Sequence, residues 1–154
     1  MIDNQNIQQK IATILREAGN LACVEKAKIL ELESQKMYSL HLRNLGLSSS
    51  NLISIVTILK EVKDNSIQSI SFSYNRLLGD FGAIAITENV PPSICEVGLV
   101  DCGIGDVGGM ALLGWIKTLP NLRMICIEQN NFSDKTKQAF LQFSNAHSHI
   151  LVVV

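Results

Sequence analysis

The feature that most constrains this chain is that it aligns with itself. Four segments superpose without gaps: residues 37–47, 67–77, 94–104 and 122–132. Their starts are spaced by 30, 27 and 28 residues (37 to 67, 67 to 94, 94 to 122). Positions one, four, six and eleven of the segment are apolar in all sixteen cases, for example Met37, Leu40, Leu42 and Leu47 in the first. At an apolar content of 47%, chance produces this about six times in a million in any one fixed register. A period of this length points to stacked supersecondary units, none of which can bury its apolar face alone.

The spacing inside one unit dictates its local structure. Residues four and six fall on the same side of a short strand and enter a core. Position nine reads Leu45, Asn75, Cys102 and Asn130. An Asn or Cys there can bond backbone groups that a turn would strand. The second half of each unit returns as a helix: Leu52, Ile55, Val56 and Leu59 keep helical spacing behind Ser48-Ser49-Ser50. Pro91-Pro92 and Pro120 close the second and third helices before the next strand.

The stretches Gly79-Asp80-Phe81-Gly82-Ala83-Ile84-Ala85-Ile86 and Gly105-Asp106-Val107-Gly108-Gly109-Met110-Ala111-Leu112 share a G-D-x-G-x-x-A-[IL] form. With the strand segments, this resembles the ribonuclease-inhibitor-like class of leucine-rich repeats, from about Met37 to Ser144. The first and fourth units depart from the form, with Asn51 and Thr136 where Gly would stand, and Leu45 replaces the turn Asn. The resemblance implies an α/β leucine-rich-repeat solenoid, a short horseshoe arc with parallel strands on the concave face and helices on the convex face. It also implies an interaction module, not an enzyme.

The ends complete the expected organisation: a helical N-terminal cap over residues 1–36, then four repeats and a terminal strand over 37–154. Asn4–Ala18 places Ile7, Ile11, Ile14 and Leu15 on one face, between Asp3 as N-cap and Gly19 as C-terminal stop. A second helix over about Leu21–Gln35 presents Val24, Ala27 and Leu30. Repeat arrays need such an atypical terminal element. His149-Ile-Leu-Val-Val-Val154 reads as a fifth strand, so the chain ends on an exposed edge or continues in a longer protein. An unprotected edge invites self-association.

One stretch argues for a different function. Residues 99–108 resemble the glycine-rich first motif of S-adenosylmethionine-dependent methyltransferases, with Gly103, Gly105 and Gly108 as G-x-G-x-x-G between strand and helix, and Glu128 further on. Backbone amides there could cradle a nucleotide or S-adenosylmethionine. Against this, Gly105 and Gly108 have counterparts in Gly79 and Gly82, where no nucleotide motif exists. Only Gly103, opposite Arg76, is left over. No cofactor is therefore expected.

Other signals are weak. His147-Ser-His149 lacks a nearby acidic or Cys partner for a metal. The cysteines at 23, 95, 102 and 126 form no CxxC pair, which suggests a reducing cytoplasm. A net charge of −1 gives no general attraction to nucleic acid or anionic membranes. No apolar run approaches the roughly 20 residues of a membrane span.

In this register, positions three, five, seven and eight project from the concave face. Nine residues there are expected to bind another protein: His41, Arg43, Asn44, Ser73, Tyr74, Glu96, Asp101, Glu128 and Gln129. The charge runs from basic in the first repeat to acidic in the last two, and Tyr74 is the one aromatic in these columns.

Overall fold

A computed structural model describes residues 4–33 and 35–154. Asp3, the expected N-cap, lies outside the described residues. The elements run α1 (Asn4–Ala18), α2 (Leu21–Leu32), β1 (Ser39–His41), α3 (Ser49–Leu59), β2 (Ser69–Ser71), α4 (Gly79–Asn89), β3 (Glu96–Gly98), α5 (Asp106–Ile116), β4 (Met124–Cys126), α6 (Asp134–Ala146) and β5 (Leu151–Val153). The architecture is α/β: five parallel strands form one open sheet in sequential order, with a helix between each consecutive pair.

The first four strands pair in the registers the sequence alignment requires: Leu40 with Ile70, Ile70 with Val97, and Val97 with Ile125. The fifth strand, outside that alignment, sets Val152 opposite Ile125. Columns one, four and six are buried throughout, ending in Leu42, Phe72, Leu99 and Ile127. The helices meet this layer from one side, with Leu52, Ile55, Val56 and Leu59 of α3 all buried. Alternate strand residues face the other way, so one sheet face carries the core and the other stays open.

Position eleven needs a correction in the second unit. Leu77 is 64% exposed, whereas Leu78 is 1% exposed and occupies the place of Leu47, Ile104 and Phe132. The turn there is one residue longer: Leu78 N–H donates to Asn75 O at 3.1 Å, and Gly79 N–H donates to Cys102 O at 2.9 Å. Apolar pattern alone cannot choose between two adjacent leucines.

Position nine closes each turn against its neighbour. Asn75 Oδ1 accepts the Leu45 and Leu47 amides at 3.2 and 3.4 Å, and its Nδ2 donates to Leu42 O and Phe72 O. Asn130 repeats the arrangement on the Cys102 and Ile104 amides and on Leu99 O and Ile127 O. The Cys102 thiol donates to Phe72 O and Val100 O. At Leu45, which has no polar side chain, the carbonyl is met from α2 instead, by Asn20 Nδ2 at 2.8 Å and the Cys23 thiol at 3.3 Å.

The first helix spans the expected residues and buries Ile7, Ile11, Ala12 and Leu15, with Ile14 only half-buried. Gly19 ends it at φ +79°, with its N–H on Leu15 O. Both α2 and α3 pack on α1. The second helix is shorter than expected, stopping at Leu32, and its inward face is Cys23, Ala27 and Leu30 with Val24 only half-buried. The inward face is set by Asn20, which caps the helix through the Cys23 amide at 2.9 Å. Among the described residues, no helix is long and apolar enough to cross a membrane.

Candidate functional site

Columns three, five and seven build the open sheet face. Backbone pairing continues past the strands: Asn44 N–H donates to Ser73 O, Tyr74 N–H to Val100 O, and Asp101 N–H to Glu128 O. Column seven therefore keeps the lateral spacing of the sheet. A groove of about 300 Å³ runs over this face, lined among others by His41, Arg43, Ser73, Tyr74, Glu96 and Glu128. Six of the nine expected residues thus share one groove. Asn44 and Asp101 line a second recess beside it, with Tyr74, Arg76 and Leu77. Gln129 is exposed on the rim.

Position eight has a property the sequence did not disclose. Asn44, Tyr74, Asp101 and Gln129 all have positive φ, at 52°, 66°, 50° and 63°. The left-handed region suits Asn and Asp, whose short polar side chains bond locally, and is costly for Tyr and Gln. In Tyr74 this strain sits beside a cation–π contact: the residue is 39% exposed, with the Arg43 guanidinium 5.5 Å from the ring centroid.

Ser73 does not project as expected. It is 2% exposed, accepting the Val100 amide at 3.1 Å and bonding Ser71 Oγ at 3.2 Å. Its neighbours explain the placement: a Cβ on Gly98 would meet Ser71 Oγ at 2.8 Å, so the two serines lean over that glycine. Ser71, Ser73, Gly98 and Val100 together make a low floor.

The charges are more organised than a simple gradient. Arg76 pairs with Asp101 at 2.8 Å, and Arg123 stands 4.0 Å from Glu96. Both arginines lie outside the columns followed in the sequence, at positions ten and two, so their pairing could not be read there. Among the described residues Arg43 and Glu128 have no ion-pair partner, and one Glu128 carboxylate oxygen is buried without a hydrogen bond. His41 shares a hydrogen bond with Ser69 Oγ at 2.9 Å. Burial, reinforced by the charges of Lys26 and Arg43 and opposed by Glu96, lowers its pKa. Burial, then the Glu128 charge, pushes the Cys126 thiol up.

The glycine-rich stretch has a structural explanation in full. Asp80 Oδ1 accepts the Gly105 and Gly108 amides at 2.8 and 2.9 Å, and Asn130 accepts that of Ile104. A Cβ on Gly103 would stand 2.3 Å from Arg76 O, and one on Gly108 2.7 Å from Asp80 Oδ1. The amides that would cradle a cofactor hold the preceding unit's carboxylate instead, and the glycines let the backbones approach. Asp106 extends the device, accepting the Ser133 amide at 2.8 Å. His147 stacks on Phe143 with centroids 4.2 Å apart and bonds Phe143 O, and no cluster of three or more His, Cys, Asp or Glu suited to a metal occurs among the described residues.

No protein-family model matches the chain, and no curated protein matches it in sequence. Solved structures do match in fold. One is described as leiomodin-1 actin-binding site 2: it superposes with a TM-score of 0.65 over 96% of this chain and 76% of its own, at 12% identity. At that identity the likeness is one of fold.

Proposed function

We propose that this chain is a short leucine-rich-repeat arc of the ribonuclease-inhibitor-like class, and that its concave strand face binds another protein without catalysis. On this reading residues 1–36 form the cap and 37–154 the repeats with a terminal strand. One observation carries the functional part: a continuous groove in which Arg43 and Glu128 stand unpaired and Tyr74 is held in a strained left-handed conformation. Exposed aromatic and Arg side chains in such a setting are typical binding anchors. The similar leiomodin-1 structure, described as an actin-binding site, lends support to an interaction role. A reducing, cytoplasmic setting suits its four free cysteines.

The test is affinity capture from cells with the immobilised protein and with a variant carrying Ala at Arg43, Tyr74, Asp101 and Glu128. Both should unfold cooperatively. A partner retained by the native face and lost by the variant supports the proposal, and equal retention overturns it.

A second reading is favoured by β5, which pairs with β4 alone among the described residues and leaves Leu151 57% exposed. Self-association would use this edge. Val152 lies in the core column opposite Ile125, so Leu151→Lys is the informative variant. A concentration-dependent dimer that Leu151→Lys abolishes supports this reading; a monomer at all concentrations rejects it.

A further inference from the structure

The nature of the bound segment follows from column seven: Arg43, Ser73, Val100, Glu128. A cation and an anion without ion-pair partners among the described residues stand at its ends, just beyond the first and fourth strands, and two buried small residues lie between. The other acids of this face, Glu96 and Asp101, stand beside Arg123 and Arg76. Three strand spacings separate Arg43 from Glu128, roughly 14 Å.

An extended chain rises ~3.3 Å per residue and returns a side chain to the same face at every second position. Residues i and i+4 of an extended segment therefore lie roughly 13 Å apart on one face. The intervening i+2 side chain falls over the floor of Ser71, Ser73, Gly98 and Val100. A helix needs about nine residues at ~1.5 Å each to cover the same span, so the sequence spacing of the two charges tells the two forms apart.

We propose that the groove takes an extended protein segment crossing the strands, with an acidic residue on Arg43, a small or apolar residue over the floor, and a basic residue on Glu128. The inference rests on the concave face being the binding surface. Arg43 offers a planar, two-pronged donor to a carboxylate. Glu128, partly exposed and without an ion-pair partner among the described residues, offers its carboxylate to the basic residue.

The experiment selects random twelve-residue peptides displayed on phage against the immobilised protein, with the quadruple-Ala variant as counter-target. Selected peptides are then synthesised and their affinities measured by fluorescence anisotropy. The expected consensus is acid and base separated by three residues. Arg43→Glu should weaken binding about ten-fold or more, and changing the peptide's acid to Lys should restore most of it. Glu128→Lys should behave likewise toward the peptide's base. Peptides that bind the open face without this spacing, with helical spacing, or without charge-swap rescue would overturn the inference and leave the binding face standing. Peptides that bind the quadruple variant equally well, or no enrichment at all, would overturn both.

Discussion

The Asp80 carboxylate sits within 2.9 Å of the Gly108 amide, so the first turn of α4 caps the start of α5 in the next unit. Helix N-termini leave amides unsatisfied, and a carboxylate there also favours the helix dipole. Asp80→Ala should cost ~1–2 kcal/mol. Gly108→Ala, whose new methyl would meet Asp80 and Ile104, should cost ~1–3 kcal/mol. The two should be less than additive, since they strain the same contact. Because these amides are engaged, neither S-adenosylmethionine nor NAD should raise the melting temperature. A shift with either ligand would mean that the loop opens to bind it.

Asp106 repeats the device toward α6, and its link to pH has a definite sign. The Ser133 amide, with Thr136 and the Ser133 hydroxyl, holds its pKa below the ordinary carboxylate value. Its contribution is therefore complete above about pH 4, the ordinary Asp value, and is lost as pH falls through the lower folded value. Asp106→Asn should flatten the decline in stability between neutral pH and about pH 3 relative to the native chain. Denaturant melts at several pH values check this.

The two adjacent leucines of the second unit test the register. Leu78→Ala should cost ~2–4 kcal/mol, and Leu77→Ala less than about 0.5 kcal/mol. Equal costs would contradict the longer turn.

Thiol reactivity separates the four cysteines. Cys23 and Cys102 are buried, and burial pushes the Cys102 pKa up to about 12. Cys95 and Cys126 are half-buried. A disulfide reagent at mildly alkaline pH, read by mass spectrometry, should label Cys95 in the folded protein, and Cys126 slowly because its thiol is pushed up. Cys23 and Cys102 should react only after unfolding.

Strain at Tyr74 predicts a trade-off between stability and binding. Asn tolerates a φ of this sign, so Tyr74→Asn should raise stability by roughly 0.5–1 kcal/mol while weakening capture of the partner. Thermal melts and pull-downs on the same preparation measure both.

Much of this architecture is legible in the sequence because each unit repeats the same physical demand. Leu40, Ile70, Val97 and Ile125 must all face one core, and the gapless alignment gave their pairing directly. The site is less legible. Column arithmetic says which way a side chain leaves the strand, but not that Ser73 folds back onto the Val100 amide. Nor does it reveal that Arg76 pairs with Asp101 or that position eight is left-handed in every unit. Those depend on contacts between units. The spare leucine of the second turn was ambiguous for a simpler reason, since Leu77 and Leu78 have the same apolar character.

The most direct test of the central claim is a nitrogen-15 chemical-shift titration of the labelled protein with a peptide selected as above. Binding at the open face should shift the amides of residues 39–44, 69–74, 96–101 and 124–129 and leave the helices nearly unmoved. Shifts centred on the exposed Phe81, Val107 and Met110, or on the Gly103–Gly108 turn, would contradict it.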